Sequence, residues 1–155
     1  MKKVFLTVLA VALVAVTAVQ AQKVNKSALV SKIEKSDADI ADAKKGAKAA
    51  TWINRGKAFY EAAIEPTKSL FVNMDAAMLK LAVGEPASTE SVTLVNVPYE
   101  AWVYPWFTAY IKDGKIATWN QTQWVIEDAP AKAIEAYNKA YEMDPKTCLL
   151  YTSPS

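Results

Sequence analysis

The stretch from Ala131 to Pro145, AKAIEAYNKAYEMDP, constrains this chain more than any other. Ala133, Tyr137 and Ala140 recur at i, i+4 and i+7, which is one face of an α-helix, and Ile134 and Tyr141 widen that face. Lys132, Glu135, Asn138, Lys139 and Glu142 cover the other side. Pro145 cannot continue a helix, so the element ends at Asp144. A helix this short is marginal alone, and two small residues around one aromatic ring suit very close approach to a neighbour. The rest of the chain must supply that neighbour.

The best mate is the helix predicted from about Ala43 to Ile64. Trp52, Gly56, Phe59 and Ala63 share one of its faces. A glycine inside a helix costs up to ~1 kcal/mol relative to alanine, which is tolerable where a second helix must come close. Pro66 stops this helix after Glu65. Ahead of it, Asn25 or Ser27 can cap a first helix running to about Lys35, with Leu29 and Ile33 on its apolar side. Ser36 to Asp42 is rich in side chains that compete for backbone hydrogen bonds, so it reads as a linker whose Asp42 caps the next helix.

Between these two helices the pattern changes period. Asn73 caps a short helix, Met74 to Val83, with Met74, Met78, Leu81 and Val83 apolar and Gly84 as its stop. Val92 to Val95 is strand-like, whereas Tyr99 to Tyr104, between Pro98 and Pro105, fits no element well. Phe107 to Lys112 and Lys115 to Trp119 alternate around Asp113-Gly114, which is a two-residue hairpin signal. That register pairs Ile111 with Ile116 and Ala109 with Thr118 on one face. It pairs Tyr110 with Ala117 on the other face, together with Trp106 and Trp119. Glu127 to Pro130 turns into the last helix, with Asp128 as cap and Pro130 in the first turn.

These residues carry a family resemblance. Ala133, Tyr137, Ala140 and Pro145 resemble the second helix of a tetratricopeptide repeat (TPR), which closes with A-x3-F and a proline. Trp52, Gly56 and Phe59 resemble its opening W-x2-L-G-x2-Y, with Arg55 replacing the leucine and Phe59 the tyrosine. Pro145 lies 93 positions after Trp52, far beyond one repeat of about 34 residues. Either the halves belong to different repeats or one repeat carries an insertion; residues 65–128 start and end at turn signals and hold their own hairpin, so an αβ insertion between the two repeat helices is expected. The expected fold class is α+β, mainly helical: a TPR-like helical hairpin with an inserted αβ element that contains a β-hairpin. The resemblance, closest to secreted TPR proteins of Gram-negative bacteria, implies a scaffold that binds a protein or peptide in a groove lined by first helices. Carried onto this chain, that groove would present Ile53, Lys57 and Tyr60, with Glu61 beside them.

The two ends read differently. Lys2 and Lys3, an apolar run from Val4 to Val19 and the small residues of Val19-Gln20-Ala21 make residues 1–21 a signal peptide. The run is about 16 residues, shorter than the ~20 a membrane-spanning helix needs, so no transmembrane segment is expected after cleavage. The protein is then exported, and periplasmic or associated with the outer membrane. Residues 148–155, CLLYTSPS, resemble translated transposon-end sequencing adapter, which limits the TPR-like domain fragment to residues 22–147 and implies further repeats downstream.

Chemistry narrows the function further. There is no histidine, and the one cysteine, Cys148, falls in the adapter-like tail, so nucleophilic triads and thiolate or imidazole metal sites are not expected. The four glycines are isolated, and no phosphate loop is present. Without Lys2 and Lys3 the 18 basic residues fall to 16 and balance the 16 acidic ones, which removes the electrostatic case for nucleic acid. Asp37, Asp39, Asp42, Glu127 and Asp128 are the densest carboxylates, and they sit where linkers and caps need them. The expectation is a non-enzymatic scaffold with no cofactor and no metal. The rival reading is a carbohydrate- or peptide-binding surface on the aromatic hairpin, using Trp102, Trp106, Tyr110 and Trp119. In that reading a glycan is the partner, and Trp102 and Trp106 are the rings left exposed.

Overall fold

Asn25 begins the first helix by accepting the Ala28 N–H at 3.1 Å, a side-chain cap at the start of α1 (Lys26–Ala41). The computed structural model describes residues 24–146, so the signal-peptide and adapter readings lie outside the described residues. After α1 come α2 (Ala49–Ile64), α3 (Ala76–Val83), β1 (Ser88–Leu94), β2 (Val97–Val103), β3 (Phe107–Lys112), β4 (Lys115–Gln121) and α4 (Ala129–Met143). The strands form one antiparallel sheet in the order β1-β2-β3-β4, and the fold is α+β.

The expected linker at Ser36 is helical, so α1 runs on to Ala41. Ser36 Oγ donates to the Ile33 carbonyl at 2.7 Å, and Arg55 of α2 binds both the Ser36 hydroxyl and the Asp37 carboxylate. These tertiary partners override the local preference for a turn. Asp42 does not cap α2. It ends α1 and accepts the Lys45 and Lys44 amides at 2.8 and 2.9 Å, which hold its carboxyl below the usual range. The turn it closes delays α2 to Ala49.

α2 lies antiparallel to both of its helical neighbours. On one side, Lys32 pairs with Glu61 and Asp37 with Arg55, so α1 runs opposite to α2. On the other, Ile53 meets Ala140, Gly56 meets Tyr137, and Phe59 shares a cluster with Ala133, so α4 does the same.

The short helix starts later than its sequence suggests. Met74 and Asp75 are pulled into the sheet: Asn73 N–H donates to the Ile116 carbonyl at 2.8 Å, and Ile116 N–H returns a bond to Met74 at 2.8 Å. Ala76, Leu79 and Val83 form the buried side of α3, while Met78 and Leu81 are exposed rather than apolar core. That buried side, with Leu70 and Met74, covers the inner face of the sheet, formed by Trp102, Phe107, Ala109, Ile111 and Ile116.

The Asp113-Gly114 hairpin is present, both residues having positive φ, and Ile111 pairs with Ile116 as expected. Beyond that pair the register slips: Tyr110 faces Thr118 and Ala109 faces Trp119. The irregularity lies between Tyr110 and Ile111 and leaves Ala117 as an extra residue on β4, a β-bulge. Trp119 consequently moves to the inner face instead of sharing Tyr110's side. Tyr99 to Tyr104, which matched no element, lies mostly in β2, and β1 starts at Ser88 rather than Val92. Val95 is not a strand residue; with Asn96 it makes a second tight turn, at φ 49° and 62°.

Candidate functional site

Two surfaces compete as binding sites: the helical seam with its flanks, and the aromatic sheet. The seam is built from small residues. Ala129, Ala133, Ala136 and Ala140 are buried along α4, and Tyr137 lies between them over Gly56. A Cβ at Gly56 would sit 2.6 Å from Tyr137 Cε1, so only glycine admits the ring there without displacement. Burial beside Tyr60 and Glu61 raises the Tyr137 phenol above its ordinary value. Phe59 is 2 % exposed, with the Arg55 guanidinium 4.9 Å and the Lys132 ammonium 5.9 Å from its ring centroid. Trp52 is half-buried beside this seam and donates to the Gly46 carbonyl at 2.9 Å. Pro145 is exposed just past the helix end.

Ile134 and Tyr141 do not widen the seam. They are 61 % and 53 % exposed, and Ala136 takes the place assigned to them. The alanine seam lets α4 settle on its narrow side, which turns the bulkier residues outward. Seven positions apart, the two give α4 a second, outward apolar stripe. A groove of about 550 Å³ runs along part of it, lined by Trp52, Ala131, Ile134, Asn138, Lys139 and neighbouring glutamates. Sequence periodicity had placed both apolar sets on one face because neighbouring positions differ by only ~100° around a helix.

The groove inferred from family resemblance is brought together only in part. Ile53 is 3 % exposed and buried against Ala140, so it cannot contact a ligand as expected. Lys57 and Tyr60 are exposed on α2, while Glu61 is drawn into the ion pair with Lys32 of α1.

The aromatic hairpin is mostly core. Trp102 is 7 % exposed, under the Lys80 ammonium at 4.8 Å, which removes it as an open sugar platform. Tyr104 is buried, stacked on Phe107 at 4.8 Å, and desolvation pushes its hydroxyl well above the usual phenol range. Trp106 is half-buried between the sheet core and the helical core rather than exposed, and Trp119 packs against the sheet core. Tyr110 is the one predicted ring on the outer face, where it meets Tyr99 edge-on at 6.4 Å. Trp124, the last ring of this aromatic stretch, is 44 % exposed after β4.

Among the described residues, no group of three His, Cys, Asp or Glu side chains converges to hold a metal ion. No described helix is long and apolar enough to cross a membrane. Comparison with family models, with curated proteins and with solved structures finds no match to this chain.

Proposed function

We propose that this chain is a non-catalytic, TPR-type interaction scaffold of the cell envelope, which receives an amphipathic helix of a partner protein on the outward face of α4. The observation that carries the reading is that α4 is apolar on two sides: one is buried on α2, the other leaves Ile134 and Tyr141 more than half exposed. A helix with a spare apolar stripe beside a groove suits helix-in-groove recognition, with anchors at i, i+3, i+4 and i+7. Ile134 and Tyr141 stand seven residues apart on that stripe, with Glu135, Asn138, Lys139 and Glu142 as a polar rim. Trp52 closes one wall. The small-aromatic-small seam against Trp52, Gly56 and Phe59 supports the family part of the reading.

The test is a photo-crosslinker placed at Ile134, followed by recovery of the captured protein and measurement of its affinity. Ile134→Lys should weaken that affinity at least tenfold, in keeping with ~1.5–3 kcal/mol for burying an isoleucine, and leave the melting temperature unchanged. No specific adduct, or an affinity indifferent to Ile134→Lys, removes the proposal.

The edge-on pair Tyr99–Tyr110, bordered by Thr108, Thr118 and Asn120 on the outer face of the sheet, supports a second, narrower reading as a glycan contact. Titration with oligosaccharides should then shift the intrinsic fluorescence, and Tyr110→Ala should abolish the shift. A flat titration rejects this alternative.

A further inference from the structure

The sheet has two edges, and they are treated very differently. β4 is protected at both ends. The Asn73, Ile116 and Ala76 amides tie it to the segment before α3, with Ala76 N–H donating to the Gly114 carbonyl at 2.9 Å. A bulge interrupts the strand, and Gln121 Nε2 anchors its far end to the Ala63 carbonyl at 3.1 Å. β1 has none of these devices. Its register with β2 is unbroken over Ser88–Leu94, it contains no proline, lysine or arginine, and all its residues but Val92 are exposed. Among the described residues no hydrogen bond from outside the sheet reaches it. Unprotected edges of this kind pair with other strands.

We propose that the occupant is a second copy of this chain, joined by antiparallel pairing of β1 with itself about a two-fold axis at Ser91. The two-residue turn at Val95-Asn96 makes Leu94 and Val97 the closing hydrogen-bonded pair. Alternation then directs Val92, Glu90 and Ser88 to β2 and leaves the N–H and C=O groups of Thr89, Ser91 and Thr93 pointing outward. Those are the groups a pairing centred on Ser91 uses, and they supply about six hydrogen bonds between the copies. The side chains are self-complementary in the same register. Thr89 faces Thr93 of the second copy and Ser91 faces its equivalent, which makes a ladder of hydroxyls on the inner face. Glu90, the single charge on β1, faces Val92, so no like charges are directly opposed. A two-fold contact of this kind is isologous and closes at a dimer, because each copy contributes its one open edge. It involves neither α4 nor the outer tyrosines and stands independently of the function proposed above.

Sedimentation of the purified full chain over a micromolar to submillimolar series should show a mass that doubles with concentration. Ser91→Pro, at an amide that faces away from β2, should weaken the dimer at least tenfold, since proline is tolerated on edge strands. Register is tested separately by Ser91→Cys in a Cys148→Ser background. Two such cysteines face each other at about 5.5 Å between Cα atoms and should cross-link on mild oxidation. Thr93→Cys should not, because its two copies lie about 14 Å apart along the strands. A monomer at every concentration overturns the proposal. So does a dimer indifferent to Ser91→Pro, or equal cross-linking at positions 91 and 93.

Discussion

Phe107→Ala is expected to destabilise the protein by about 3–5 kcal/mol, a large share of the ~5–15 kcal/mol that holds an ordinary domain together. Phe107 is 1 % exposed and opens β3, where it stacks on Tyr104 at 4.8 Å and joins the cluster that binds α3 to the sheet. Truncation leaves a cavity between a helix and a sheet that are each held by their own backbone bonds, so the walls cannot close on it fully. It also withdraws the ring that shields Tyr104, whose buried hydroxyl has no hydrogen-bond partner among the described residues. The effect should spread beyond the sheet. Trp106, the neighbour of Phe107 in sequence, packs against both the sheet core and the helical core. Urea unfolding followed in parallel by helical circular dichroism and tryptophan fluorescence should therefore show one coincident transition, moved to lower denaturant. A loss under about 1 kcal/mol would mean that the site collapses around the missing ring. Two separated transitions would mean that the helices and the sheet do not share a core.

What could be read in the sequence depended on how local the controlling interactions were. Asp113-Gly114 announces its hairpin because aspartate and glycine accept the left-handed backbone that the turn imposes. The second turn is silent for the opposite reason. Val95 is β-branched, and a left-handed φ costs such a residue on the order of 1–3 kcal/mol, so no turn rule selects it. Strands β1 and β2 stayed half-hidden with it. The bulge at Ala117 carries no compositional mark at all, and one extra residue was enough to move Trp119 from one face to the other. Ser36 to Ala41 was misread because its helix is held by Arg55, a partner in another element. The α2–α4 seam was legible because close approach itself restricts the residues allowed, and Gly56 opposite Tyr137 is that restriction in its plainest form. The candidate site was less so. Ile134 and Tyr141 were visible as apolar, but only the packed alanines of α4 decide which way they point.

Gly56→Leu is expected to cost about 3 kcal/mol or more, at the upper end of what overpacking does. Alanine at this position already sets two effects against each other. It gains up to ~1 kcal/mol of helix propensity and forces a Cβ to 2.6 Å from the Tyr137 ring. The ring cannot swing away freely, because Ile53 and Ala140 pack beside it. Leucine adds three more carbons at the same point, which exceeds any rotamer adjustment and separates α2 from α4. The contact is tested as a contact by a double-mutant cycle of Gly56→Ala and Tyr137→Ala, read by urea unfolding. Removing the ring should relieve the clash, so the double variant should be more stable than the sum of the single losses predicts, by about 0.5–3 kcal/mol. Additive losses would mean that the two residues do not meet. The consequence reaches the proposed binding surface, since Trp52 is held on α2 and Ile134 on α4, and the groove between them exists only while the seam is closed. Gly56→Leu should therefore lose the partner captured at Ile134, although neither Trp52 nor Ile134 is itself changed.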